Sequence, residues 1–104
     1  MANYVLAYRG GAMAESPAEQ EAAMTAWMNW FGALGDAIVD MGSPFGGSST
    51  IGTDGSVKDG GASSLTGYSI VSADSQDDAV AKAKGCPVLQ NGGSVEVYES
   101  VPVG

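Results

Sequence analysis

The chain contains no histidine, one cysteine and four basic residues among its 104. Each scarcity excludes a class of function. Without histidine no imidazole can serve as a base near neutral pH. One cysteine and no histidine make no zinc-ligand set. Cys86 has no partner for an internal disulfide, and no basic, apolar leader opens the sequence. These two features point to the cytoplasm. Arg9, Lys58, Lys82 and Lys84 are the whole cationic complement, against 12 Asp and Glu, for a net charge of -8. Phosphate neutralisation needs clustered Lys and Arg, so neither nucleic acid nor an anionic membrane surface is an expected partner. No apolar run approaches the roughly 20 residues that cross a bilayer. The acidic residues Asp74, Asp77 and Asp78 lack the rest of a calcium loop, and Gly52-Thr53-Asp54-Gly55 lacks a phosphate-binding lysine. Neither Gly46-Gly47 nor Gly60-Gly61 makes a dinucleotide fingerprint, so no metal and no cofactor is expected.

What is present has the length of one domain, residues 1–104. Asn3 to Arg9 alternates as a strand, with Tyr4, Leu6 and Tyr8 on one face and Val5 and Ala7 on the other. Ser16-Pro17-Ala18-Glu19 is a helix start: a capping Ser, a Pro at the first position and a Glu three residues after the cap. Ala23, Trp27, Trp30, Phe31 and Leu34 then form an apolar stripe that Met24 and Met28 widen, and Gly42 is the expected stop. Residues 42 to 64 are rich in Gly and Ser, with a second strand expected around 48–53 before the turn dipeptide Asp54-Gly55. Leu65 to Ser72 reads as a third strand with Thr66, Tyr68 and Ile70 on one face. Asp74 or Ser75 caps a second helix that ends at Gly85, and Ser94 to Val101 is the last strand. This order predicts an α+β chain of the ferredoxin-like βαββαβ type, an antiparallel sheet with two helices on one face. The other face carries apolar and aromatic residues, which a homodimer with sheets face to face would cover.

Several segments together resemble the YCII-related family of the dimeric α-β barrel superfamily. They are Tyr4-Val5-Leu6-Ala7-Tyr8-Arg9-Gly10, Ser16-Pro17-Ala18-Glu19, Ala37 to Gly46, Leu65 to Val71, Gly85-Cys86-Pro87 and Ser94 to Glu99. The resemblance covers nearly the whole chain. It implies a ferredoxin-like fold, a homodimer through the sheet face, and a pocket between sheet and helices. Relatives in the wider superfamily include cofactor-free isomerases, monooxygenases and dehalogenases of small ring compounds. Better-studied members have a His supported by an Asp as the proposed catalytic pair. This chain departs from that pattern, and Cys86 stands where relatives tend to carry a His.

The residues themselves leave few groups for chemistry. Asp40 lies among Ile38, Val39 and Met41 and is the one candidate base; its alternative role is to hold backbone N–H groups in the turn before Gly42. Arg9, the only arginine, could clamp an anion or pair with a surface acid. Tyr8 and Tyr68 offer phenols, and Phe45 an aromatic wall. Trp27 and Trp30 read chiefly as core. Cys86 follows a helix C-terminus, where the dipole disfavours a thiolate, and reads as a packed residue. The expectation is a small-molecule-binding protein whose ligand meets Tyr8, Arg9, Asp40, Phe45 and Tyr68. The alternative is a cofactor-free enzyme on a small hydrophobic or aromatic substrate. Convergence of Asp40, Arg9 and Tyr8 on one cavity is what separates the two.

Overall fold

A computed structural model describes residues 1–11, 15–61 and 64–103. Six strands and two helices run in the order β1 (Ala2–Arg9), α1 (Pro17–Leu34), β2 (Ile38–Pro44), β3 (Ser49–Ile51), β4 (Val57–Asp59), β5 (Leu65–Ala73), α2 (Gln76–Ala83) and β6 (Ser94–Ser100). Short 3-10 turns follow α1 at Gly35–Ala37 and precede β6 at Pro87–Asn91. Four strands form an antiparallel sheet in the order β2-β5-β1-β6, and β3 pairs with β4 alone. The expected mixed α+β class with an antiparallel sheet and two helices is therefore present, and its strand order is consistent with the ferredoxin-like expectation.

Both helices start where side-chain caps permit. The Ser16 hydroxyl accepts the Glu19 N–H at 3.2 Å, and the Glu19 carboxylate accepts the Glu15 N–H at 2.8 Å. That is one residue outside the usual capping box. Ser75, rather than Asp74, caps α2, accepting the Asp78 N–H at 3.1 Å. Asp78 in turn accepts the Asp74 N–H at 3.0 Å and the Lys82 ammonium at 2.7 Å, and these contacts hold its carboxyl below the usual value. Lys82 lies one turn toward the negative end of the same helix, the favourable order for an acid–base pair.

The first helix stops earlier than its sequence suggests. It ends at Leu34, because Gly35 turns to φ 55, and the chain re-enters as β2 rather than running on to Gly42. The β-branched pair Ile38-Val39 favours a strand once the helix is interrupted. The second sheet strand is thus residues 38–44, and the expected strand at 48–53 is one arm of the separate β3–β4 hairpin. Gly42 has its own reason to be glycine. It sits at φ 75 where β2 crowds β5, and an added Cβ would lie 1.7 Å from the Tyr68 carbonyl oxygen. Register shifts on either side of Asp40 accommodate that approach. The last strand ends at Ser100, one residue short of Val101.

The core lies on one face of the sheet. Tyr4, Leu6 and Tyr8 of β1 and Val71 and Ala73 of β5 pack with Trp30 of α1, Ala79 and Ala83 of α2, Cys86 and Val88. Because residues of both helices share this one cluster, both helices cover the same face. Trp30 is 7% exposed and donates its indole N–H to the Lys82 carbonyl at 3.2 Å, tying α1 to α2. Trp27 meets Tyr8 edge-on at a ring separation of 5.1 Å and Trp30 at 5.7 Å. Edge-to-face pairs at these distances add to what area burial alone supplies. Met24 and Met28 do not join the buried stripe, and both stay exposed in the single chain. Among the described residues no helix is long and apolar enough to cross a membrane.

Candidate functional site

Alternation along a strand sends neighbouring side chains to opposite faces. Tyr8 and Arg9 are therefore separated by the sheet. Tyr8 points into the core, where its hydroxyl donates to the Ser69 hydroxyl at 2.7 Å, and Ser69 donates onward to the Met41 carbonyl at 2.7 Å. Burial pushes the Tyr8 phenol far above its usual value, so it stays protonated. This relay joins β1, β5 and β2 inside the protein and presents nothing to a ligand.

The remaining candidates lie on the open face. Asp40 of β2 sits beside Ile70 of β5, and the next open-face residue of β5 is Tyr68. The Tyr68 hydroxyl donates to Asp40 Oδ2 at 3.2 Å, while Asp40 Oδ1 accepts the Gly42 N–H at 2.8 Å. Asp40 thus performs the turn-holding role and also faces a phenol. The hydrogen bond to Asp40, with the carboxylate charge behind it, raises the Tyr68 phenol above its usual value and keeps it a donor. The Phe45 ring stacks on Tyr68 with centroids 5.8 Å apart and planes 23° apart. Its backbone N–H donates to the Thr66 carbonyl at 2.9 Å, which continues the β2–β5 ladder one residue past the strand and fixes the ring's position.

A second cluster occupies the opposite edge of the same face. Arg9 meets Glu96 at 3.4 Å, and the Tyr98 hydroxyl donates to the other Glu96 oxygen. Strand alternation puts Glu96 and Tyr98 on the face opposite Val95 and Val97, and nothing in their spacing signals that Glu96 takes the only arginine. The Glu96 hydrogen bond raises the Tyr98 phenol as well. Register lines up Tyr68, Ala7 and Glu96 in one row, and Asp40, Ile70, Val5 and Tyr98 in the next. Two strand spacings, about 10 Å, separate Tyr68 from Glu96, with the small side chain of Ala7 between them, and three, about 14 Å, separate Asp40 from Tyr98. The open face is thus a trough with an apolar floor and an aromatic and acidic wall on each side.

Asp40 and Arg9 therefore share a face without pairing, and Tyr8 joins neither. The space between sheet and helices is occupied by Tyr8, Trp27 and Trp30. A shallow groove runs along the outer side of α1, lined by Ala18, Glu21, Ala22, Thr25, Ala26 and Asn29. Cys86 is buried, and burial above all pushes its thiol up to about 11, which suits packing and not nucleophilic attack. No group of three or more His, Cys, Asp and Glu among the described residues could hold a metal ion. Comparisons of the chain with protein-family models, with curated proteins and with solved structures find no match.

Proposed function

We propose that this chain is a ferredoxin-like, YCII-related homodimer that binds a small molecule, with its two sheets face to face and its ligand against Asp40, Tyr68 and Phe45. The observation that carries the reading is the convergence of a carboxylate, a phenol and a stacked ring on a sheet face that no helix covers. Binding sites combine apolar walls with a few placed polar groups, and this corner has that make-up. Face-to-face packing would close the trough into a chamber between the sheets. Asp40 supplies an acceptor and Arg9 is engaged by Glu96, so the ligand class is a planar ring compound bearing N–H or O–H donors rather than an anion. Binding is preferred to catalysis because each Asp40 oxygen already accepts a hydrogen bond from its own chain. The buried thiol of Cys86 suits a reducing compartment such as the cytoplasm.

Thermal-shift screening with phenols and aromatic amines tests the reading, with quinones, which lack a donor, as the negative control. A compound that raises the melting temperature of the wild type, and not that of Tyr68→Phe or Asp40→Asn, supports it. The same shift in both variants places the ligand elsewhere. Turnover of a bound compound, lost in Asp40→Asn, would move the reading to the enzyme class.

A further inference from the structure

Among the described residues the β3–β4 hairpin is a well-made element that pairs with no other strand. Its strands pair Ser49 with Asp59, Thr50 with Lys58 and Ile51 with Val57, and neither strand joins the four-stranded sheet. The turn is closed by Gly52 N–H to the Ser56 carbonyl at 2.7 Å and by the Ser56 N–H to Asp54 at 2.9 Å. The base is closed by the Gly60 N–H to the Ser48 carbonyl at 2.8 Å and by the Gly61 N–H to the Ser48 hydroxyl at 2.8 Å. An isolated two-stranded hairpin is marginal in water and holds its form by packing an apolar side on something else. That side exists here. Ile51 and Val57 face each other across the hairpin and are 71% and 63% exposed.

The dimensions of the protein show how much surface is left to cover. The chain extends 44 × 43 × 18 Å, with a radius of gyration of 15.1 Å. A compact domain of this length has a radius near 13 Å. The accessible surface is 6912 Å², whereas a folded monomer of 10.4 kDa has about 5,400 Å². The surplus of about 1,500 Å² exceeds the roughly 800 Å² per partner of a standard interface and falls in the range of obligate dimers. The exposed large apolar side chains include Ile51 and Val57 of the hairpin and Phe45 and Tyr98 of the open face, so the chain carries both an apolar hairpin side and an uncovered sheet surface. A two-fold pair of identical chains satisfies both at once. The hairpin lies between β2 and β5 in the chain and begins just beyond Phe45.

We infer that the β3–β4 hairpin is a dimerisation arm, whose Ile51–Val57 side packs on a second copy of this chain. The inference rests on the homodimer of the proposed function and adds a contact that the sheet face does not supply. Sedimentation equilibrium of the wild type, of Ile51→Asp/Val57→Asp, and of the sheet-face variant Ile70→Asp tests it. The hairpin variant should weaken dimerisation at least about 100-fold, since two apolar side chains leave the interface. Its far-UV circular dichroism should match the wild type, because the hairpin lies outside the core. A wild-type dissociation constant in the hairpin variant, with dimerisation lost in Ile70→Asp, overturns the arm and leaves the sheet-face pairing standing. The reverse pattern keeps the arm and removes that pairing, and a monomeric wild type removes both. Should the hairpin variant fail to fold, hydrogen exchange of the wild type decides the question. Protection of the Gly52 and Gly60 amides should fall on dilution through the dissociation constant, and protection independent of concentration overturns the arm.

Discussion

Replacing Tyr8 and Ser69 singly and together tests the buried relay that binds β1, β5 and β2. Tyr8→Phe removes one donor and leaves Ser69 still bonded to Met41, so it should cost about 1 kcal/mol. Ser69→Ala is worse. It strips the Tyr8 hydroxyl of its acceptor and the Met41 carbonyl of its donor, in a site where Ser69 is fully buried. Leaving a buried hydroxyl unpaired costs about 1–3 kcal/mol beyond the lost bonds, which puts this variant at about 2–4 kcal/mol. In the Ser69→Ala background, adding Tyr8→Phe removes the orphaned hydroxyl and should restore stability by about 1 kcal/mol or leave it unchanged. Urea denaturation followed by circular dichroism at fixed protomer concentration measures the cycle. One kcal/mol corresponds to about 4–5 °C in melting temperature for a chain of this size. Because the Tyr8 phenol is held far above its usual value, the result should be the same at pH 6 and pH 8. Additive losses in the double variant, or a Ser69→Ala cost below that of Tyr8→Phe, would refute the relay.

Trp30→Ala should cost about 3–5 kcal/mol by the same denaturation, since it removes the core contact of α1 and the bond to Lys82, and a loss below about 1 kcal/mol would mean α1 is not anchored there. Gly42→Ala should cost at least about 2 kcal/mol, because both the positive φ and the approach to the Tyr68 carbonyl forbid a side chain. The Cys86 thiol is held at about 11 against 9.0 in an unfolded chain, so the unfolded state releases its proton first and stability declines as pH rises from about 9 to 11. Between about pH 6 and pH 8 the curve should be flat, and Cys86→Ala should move the onset of decline up toward pH 10, where the tyrosines titrate; an unchanged alkaline curve contradicts a buried thiol.

Local chemistry made much of this protein legible. The alternation of Tyr4, Leu6 and Tyr8 against Val5 and Ala7 assigned both faces of β1, and Thr66, Tyr68 and Ile70 did the same for β5. Ser16, and the pair Asp74-Ser75, marked the helix starts, because a cap is a contact within four residues. Residues 35–44 were not legible. Ile38, Val39 and Met41 suit a helix or a strand by spacing alone, and pairing with a strand some 30 residues away decides between them. The Asp54-Gly55 turn signal was sound, but a turn does not say which sheet its strands join. The end of β1 offers Tyr8 and Arg9 as one site, yet adjacent residues of a strand face opposite ways. Asp40 and Tyr68 were both singled out, yet their hydrogen bond depends on the bulged register of β2, which no local pattern encodes.

The most direct measurement of the central claim is the light-scattering mass of the wild-type chain across micromolar concentrations, beside that of Ile70→Asp. The account predicts about twice the 10.4 kDa chain mass for the wild type, with the single-chain mass for Ile70→Asp. A wild type that keeps the single-chain mass throughout that range would contradict it.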